Sequence, residues 1–277
     1  IYEIVDNAVD EHLAGFCSEI HVTLEKDGSA TVVDNGRGVP VGMHAKGMSA
    51  ARLVYTTLHA GGKFDDSAYK TSGGLHGVGS SVVNALSAWM DVEISRDGYV
   101  HHDRYERGVP VIELEDGLLP KIGKTRKTGT KVTFLPDGEI FETTIFDYSI
   151  LQQRFREMAF LTKGLKIVLR DERPQEPIEK TFHYEGGIKE FVEYLNRSTT
   201  PLYEQIIYCE GIVNNVSVEV AMQHNDSYNE NSYGFVNNIT TPEGGTHIVG
   251  FRNALTKTFN DYARKNKLLK DNEPNLT

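Results

Sequence analysis

Cysteine is scarce in this chain, and long apolar runs are absent from it. The two cysteines, Cys17 and Cys209, lie far apart in the 277 residues and are too few for a disulfide framework or a zinc site. We therefore expect a reducing compartment, the cytoplasm. No apolar run approaches the roughly 20 residues needed to cross a bilayer, so the sequence predicts no association with a membrane.

Basic charge is also in short supply. The chain has 29 Lys and Arg against 39 Asp and Glu, which gives a formal net charge of −10. Tight binding of duplex DNA relies on lysines and arginines that release the counterions of the phosphates. The composition therefore argues against this chain holding DNA by itself. Its length predicts a globular protein of two domains.

The most informative feature that is present is the glycine-rich segment 70–84, KTSGGLHGVGSSVVN. It leads into an apolar helical pattern, which would bring backbone amides close to an anionic group such as the phosphates of a nucleotide. The glycine spacing matches neither the dinucleotide fingerprint nor the P-loop. An ordinary loop before a core helix is the alternative interpretation.

The opening segment 1–15 has the periodicity of an amphipathic helix. One side of this helix is apolar, and the other carries Glu3, Asp6, Asn7, Asp10 and Glu11. A solvated acidic face would explain the carboxylates alone. Because Asn is a poor helix former, we interpret Asn7 as a metal ligand, flanked by carboxylates that share the metal or take a proton from water.

Segment 30–40, ATVVDNGRGVP, reads as a β-branched strand that stops at a turn. Asp34 stands where the strand meets the turn, and its carboxylate can accept a hydrogen bond from an exocyclic amine such as adenine N6. The alternative is that the Asp and Asn here serve only as turn residues. The polar stretch 58–70 that follows is either a mobile lid or a plain surface loop.

Taken in order, these segments resemble a known family. EIVDNAVDE, VVDNGRGVP, LHAGGKF, SGGLHGVGSSVVNALS and KTGTKVT resemble the ATPase region of bacterial type IIA topoisomerases. The likeness continues through 154–162, 182–188, 235–238, 244–247 and 260–264, and it therefore covers essentially the whole chain.

The resemblance implies a role for each matching residue. Glu3 would be the base that activates water, Asn7 would bind Mg²⁺, and Asp34 would recognise adenine with support from Thr130 on a neighbouring strand. The base pocket would be edged by Gly36, Arg37, Gly38 and Pro40. Glu11 and Arg37 would form a salt-linked pair beneath the adenine ring, and Arg96 would lie at the rim of the pocket. The lid over the triphosphate would contain Lys63, Tyr69 and Lys70. The phosphate cradle would comprise Gly74, Leu75, His76, Gly77, Val78, Gly79 and Ser80.

The resemblance also implies fold, cofactors and partners. The fold class would be α+β, with a two-layer α/β sandwich of the GHKL (Bergerat) ATPase type over residues 1–182. A transducer domain like ribosomal protein S5 domain 2 would follow over residues 183–277. ATP and Mg²⁺ would be the cofactors. Two copies would close on ATP within an A2B2 heterotetramer that contains the gyrase A protein, and the full complex would pass duplex DNA and supercoil it negatively.

Three alternatives stay open at this stage. The decatenating topoisomerase IV branch shares every nucleotide motif, and the gyrase branch is favoured by likeness at 156–164 and 206–211. A histidine-kinase-type ATP-binding domain would share the pocket but would lack Glu3 and the second block. A noncatalytic nucleotide-binding module is the third. Because the chain begins inside the predicted catalytic helix and stops before the family's Gln-Thr-Lys loop, we expect it to turn ATP over poorly.

Local patterns predict the remaining elements. Strands are expected at 90–95, 99–105, 131–135 and 166–170, with hairpin turns at 26–28 and 96–98. The polar segment 171–177 is either a hairpin tip or a linker by its composition, and the resemblance makes it a hairpin tip. Helices are expected at 151–162, 187–196 and 250–267, and further strands at 205–209, 216–223 and 233–238. We interpret His247 as structural. Basic residues of the last helix would face either the DNA cavity of a dimer or solvent.

Overall fold

The computed structural model describes residues 1–58, 79–270 and 272–277. Eight of the predicted site residues lie outside these ranges, namely Lys63, Tyr69, Lys70, Gly74, Leu75, His76, Gly77 and Val78. Within the described ranges, no helix combines the length and the apolarity that a bilayer crossing requires.

One large sheet organises the first part of the chain. Its strands are β1 (Glu19–Leu24), β2 (Ala30–Asp34), β3 (Ser87–Arg96), β4 (Tyr99–Glu106), β5 (Val109–Pro110), β6 (Lys121–Lys124), β7 (Gly129–Pro136), β8 (Lys166–Asp171) and β9 (Ile178–Phe182). The order across the sheet is β5-β4-β3-β7-β2-β1-β8-β9, and β6 pairs with β4. Among the described strands only β1 and β8 pair in parallel. Antiparallel hairpins therefore dominate, as predicted.

The core lies between one face of this sheet and the helices α1 (Tyr2–Leu13), α2 (Ala50–Thr56), α3 (Gly79–Ala85) and α4 (Tyr148–Leu161). Val22, Val32, Val132 and Val92 form one row across four strands and are at most 2% exposed. Burying each such side chain contributes roughly 1.5–3 kcal/mol. The alternation of buried and exposed residues along these strands fixes which face meets the helices.

The predicted hairpin turns are present. Asp97 and Gly98 both adopt positive φ, 53° and 83°, between β3 and β4, as a two-residue turn of type I′ requires. Segment 171–177 joins the antiparallel strands β8 and β9, so it is a hairpin tip and not a linker.

The sheet is followed by helix α5 (Ile188–Asn196) and the hairpin β10 (Ile207–Val213) and β11 (Val216–Met222). Helix α4 packs against α5 through aromatic rings. Phe160 of α4 stacks on Phe191 of α5 with ring centroids 5.0 Å apart, and on Tyr184, which precedes α5, at 3.7 Å. These elements belong to a compact unit that spans Ile1–Asp226. The predicted domain boundary at 182/183 stays a prediction.

Residues Ser227–Thr277 form a second unit, with strands β12 (Phe235–Val236) and β13 (Ile239–Thr240) and helix α6 (Thr246–Lys265). The strand predicted at 233–238 shrinks to two residues because Asn237 and Asn238 turn the chain with φ of 49° and 65°. Helix α6 begins four residues before the predicted start at Gly250. His247 shares a hydrogen bond of 2.9 Å with the Thr241 hydroxyl, which agrees with a structural role.

Candidate functional site

The start of α3 lies against Glu3 of α1. A side chain on Gly79 would overlap the Oε2 atom of Glu3, so only glycine permits this approach. Glu3 is exposed on the helix surface, where it can reach water and ligand. The predicted base and the described end of the predicted phosphate cradle are therefore neighbours, although they are far apart in sequence.

Asn7 lies one turn of α1 after Glu3, and like Glu3 it contacts α3. Its Nδ2 donates a hydrogen bond of 3.1 Å to the hydroxyl of Ser80, which is buried. This bond orients the carboxamide so that Oδ1 is the end turned away from Ser80. Among the described residues there is no cluster of three His, Cys, Asp or Glu side chains that could hold a metal. A single carboxamide oxygen fits Mg²⁺ that keeps water and phosphate ligands.

Asp34 ends β2 with a partly buried carboxyl group. Burial raises its pKa to about 6, and the nearby Glu11 acts in the same direction, while hydrogen bonding from the backbone at Gly36 and Thr130 opposes the shift. The amide of Gly36 donates to Oδ1 at 2.8 Å. One carboxyl oxygen is thus held by the turn.

Glu11 and Arg37 form the ion pair that the resemblance implies. Arg37 Nε donates to Glu11 Oε2 at 3.0 Å, and Nη2 donates to Oε1 at 2.8 Å. The backbone amide of Arg37 adds a third bond of 3.2 Å to Oε2. This two-pronged geometry ties the turn after β2 to helix α1.

The same turn is held from β3 and β7. Gly38 adopts φ of +77°, and a Cβ there would approach the carbonyl oxygen of Ser95 to 2.9 Å. Arg96 donates to the carbonyl of Gly38, and the hydroxyl of Thr130 accepts a 3.4 Å bond from the amide of Val39. Pro40 follows, half-buried. Thr130 therefore holds the turn through its hydroxyl, whereas Asp34 receives backbone support.

The acidic side of α1 is not simply solvated. Asp10 is only 7% exposed. Burial raises the pKa of Asp6 to about 6; Arg154 lowers it, and Glu3 and Asp10 raise it. The alternative of a plain solvated face is therefore wrong for these two residues.

Two contacts at the site were missed by sequence reasoning. The Arg37 guanidinium stacks on the ring of Phe16 with its carbon 3.9 Å from the centroid. Asn84 of α3 donates to the carbonyl of Tyr55, which fixes α3 on α2. The only sequence signal for the first was an aromatic residue placed just beyond a helix end.

Comparisons with known proteins identify the family. The family model described as "Histidine kinase-, DNA gyrase B-, and HSP90-like ATPase" matches residues 1–140, and the model described as "DNA gyrase B" matches residues 187–277. The second match does not fit a histidine kinase, which would lack that block.

Individual relatives agree too. The chain is 55% identical to the B protein of DNA gyrase from Halalkalibacterium halodurans and 56% identical to the B protein of DNA topoisomerase 4 from Enterococcus faecalis, with the whole chain aligned. It spans 43% and 40% of their lengths, about two fifths of the curated relatives it matches.

A solved structure confirms the predicted fold class. The 43K ATPase domain of Thermus thermophilus gyrase B, in complex with an aminocoumarin, matches with a TM-score of 0.81 and 40% identity. The match covers 100% of this chain and 70% of that one. The chain therefore belongs to the gyrase B-like ATPases, in the branch formed by the ATPase subunits of bacterial type IIA topoisomerases.

Proposed function

We propose that this chain binds ATP with Mg²⁺ and hydrolyses the nucleotide as the ATPase part of a DNA gyrase B protein. The observation that carries the proposal is the meeting of α1 with α3: Glu3 lies against Gly79 while Asn7 is bonded to Ser80. Core packing requires neither an exposed carboxylate nor a carboxamide at these positions. Hydrolysis of a phosphate anhydride is assisted by a general base and a bound metal ion, and a carboxylate next to a carboxamide can serve these two roles.

Each residue has a chemical task in this proposal. Asp34 accepts a hydrogen bond from the adenine amine, and Asn7 would hold Mg²⁺ through its oxygen. When bound, the metal neutralises charge on the phosphates. Glu3 accepts a proton from the attacking water, and Ser80 keeps Asn7 in place. Glu11, Arg37, Gly38, Pro40 and Thr130 shape the base pocket.

The catalytic proposal is tested with Glu3→Gln in the 277-residue chain. Binding of the non-hydrolysable analogue AMP-PNP, measured by calorimetry with Mg²⁺, should be unchanged. Phosphate release over hours should fall by roughly two to four orders of magnitude, the usual contribution of a general base, or to background. Glu19→Gln is the matched control, because Glu19 lies on β1 with Lys166 and His21. Unchanged hydrolysis in Glu3→Gln would reject the assignment.

The activity of the whole protein is part of the same proposal. The ATPase part would close as a dimer on ATP and couple that closure to strand passage and negative supercoiling. Its partners would be the gyrase A protein in an A2B2 complex and duplex DNA held by that complex, in the cytoplasm. Residues 183–277 would form the transducer domain. The likeness to gyrase B over the whole chain supports this scheme.

The B protein of topoisomerase IV is the second candidate, because identity to one such protein is 56%, against 55% for gyrase B. The two candidates are separated by reconstitution of the whole protein with the A protein of each enzyme. Negative supercoiling of relaxed plasmid with gyrase A supports the first proposal. Decatenation of linked circles without supercoiling supports the second.

A further inference from the structure

An exposed aromatic residue supports the site from outside. Phe16 follows α1, and its backbone is fixed there by a bond of 2.9 Å from its amide to the carbonyl of Glu11. The residue is 48% exposed, so core packing does not explain a large apolar ring there. Its ring instead carries the guanidinium of Arg37 at 3.9 Å, a distance typical of a cation–π contact.

The ring contact restrains the guanidinium of Arg37, which is partly open to solvent. The Arg37 side chain is 36% exposed, and its Nε and Nη2 atoms donate to the two carboxylate oxygens of Glu11. A flat ring against one face of the fork leaves fewer orientations open to the guanidinium. Phe16 therefore favours the one orientation in which both hydrogen bonds to Glu11 form.

The Glu11–Arg37 pair borders Asp34. A Cβ placed on Gly36 would meet Asp34 Oδ1 at 3.0 Å and Glu11 Cγ at 3.2 Å, so the two carboxylates flank this glycine. Three groups from different segments interact electrostatically with Asp34, namely Glu11, Tyr55 and Cys17. Glu11 is the carboxylate among these three groups, and the guanidinium of Arg37 is bonded to both of its oxygens.

We propose that Phe16 is a positioning residue for nucleotide recognition: its ring holds the Arg37 guanidinium on Glu11 and thereby limits the negative charge that Asp34 experiences. This inference rests on the proposed function, because it takes Asp34 as the acceptor for adenine. Without the ring, Arg37 spends less time on Glu11. Asp34 then keeps its proton to higher pH, and the neutral carboxyl accepts a weaker hydrogen bond from the base.

The test compares wild type with Phe16→Leu and Phe16→Tyr, using AMP-PNP with Mg²⁺ between pH 5.5 and 8. At pH 5.5 Phe16→Leu should weaken binding about 1.5- to 3-fold, whereas at pH 8, where Asp34 is charged in both proteins, the affinity should be unchanged. The pH at which half the affinity is lost should rise by about 0.2–0.5 unit in Phe16→Leu. Phe16→Tyr should restore both values. Protonation of the nucleotide itself is common to all three proteins and cancels.

Controls separate positioning from packing. Phe141→Leu removes another exposed aromatic ring, 40% exposed between β7 and α4, and should leave the affinity and its pH midpoint unchanged. In an Arg37→Gln background, Phe16→Leu should cause no further loss. Thermal unfolding of each variant shows that the fold is retained.

Three outcomes would overturn the inference: no change in Phe16→Leu, an affinity loss that is equal at every pH, or no rescue by tyrosine. Failure of the proposed function has a different appearance, since wild type itself would then not bind AMP-PNP.

Discussion

The carboxyl group of Asp34 links recognition to protonation, because burial raises its pKa to about 6. We expect nucleotide affinity to be constant above about pH 7 and to fall as the pH drops through 6, since a protonated carboxyl accepts a weaker hydrogen bond from the adenine amine than the carboxylate does. Calorimetric titration with AMP-PNP across this range measures the midpoint. Affinity that stays flat from pH 8 to pH 5 would contradict the assignment.

The same carboxyl group costs stability. Its folded pKa lies above the usual 3.8, so the folded state holds the proton more tightly and this destabilisation grows as the pH rises from about 4 to 6. Asp34→Asn should therefore raise the free energy of unfolding at pH 8 by about 1–3 kcal/mol, while adenine recognition is lost. Urea unfolding at pH 8 and at pH 4 measures the free energy of unfolding, and the stabilisation by Asp34→Asn should be small at pH 4.

Gly79 is the residue whose replacement tests the contact between α3 and Glu3. A methyl group there would occupy the space of the Glu3 carboxylate, so Gly79→Ala should displace the base and lower hydrolysis at least ten-fold, by analogy with misplaced catalytic groups. Gly42→Ala is the matched control, because a Cβ at Gly42 meets nothing within 4 Å. The comparison uses the phosphate-release rate and the AMP-PNP affinity of both variants. Equal rates would argue against the role of Glu3.

At the scale of the elements, α2 is fixed to β4 by a buried ion pair. Arg52 donates to both oxygens of Asp103, and Tyr105 donates to the same carboxylate, which is fully buried. Arg52→Ala would leave that charge without its cation, and we expect a loss of about 3–5 kcal/mol in unfolding free energy. Urea unfolding measures the loss.

A neighbouring residue supplies the control. Arg104 lies on the same strand but on the outer face, 3.4 Å from Asp91, so Arg104→Ala should cost about 1 kcal/mol or less. Replacing the buried pair together, as Arg52→Met with Asp103→Leu, should recover most of the stability. Similar losses for Arg52→Ala and Arg104→Ala would contradict the assignment of the buried pair.

Elements with a local signal were predictable from the sequence. The apolar spacing of 1–13, the turn at Asp97–Gly98 and the alternation along 99–105 each depend on near neighbours, and the structure contains α1, the hairpin and β4. Helix α2, the Arg52–Asp103 pair and the Phe16–Arg37 contact were not predicted. Their partners are brought together only by the fold, so no window of the sequence contains them.

The roles at the site were predicted from the family resemblance and not from such local patterns. Spacing alone left Asp34 equally able to be a turn residue and Asp6 to be a solvated acid. What removed the second alternative was the burial of Asp6 in the folded chain and its interaction with Arg154 of α4, both of which are tertiary properties.

At the scale of the whole molecule, net charge governs the relation to DNA. With a formal charge of −10, the 277-residue chain should bind duplex DNA no more tightly than about 10⁻⁵ M at physiological salt, within the range of non-specific binding. Fluorescence anisotropy with a labelled duplex, with and without AMP-PNP, tests this expectation. Nanomolar binding that persists at 200 mM salt would show that the basic residues of α6 act as a DNA surface.

The parallel pairing of β1 with β8 has a consequence for biosynthesis. Strand β1 ends at Leu24, but its partner is complete only at Asp171. At roughly 5–20 residues per second, a ribosome needs about 7 to 30 s to make the intervening chain. Throughout that interval one edge of β1 has no strand to bond with, so the nascent polypeptide is a natural client for chaperones that shield open strand edges.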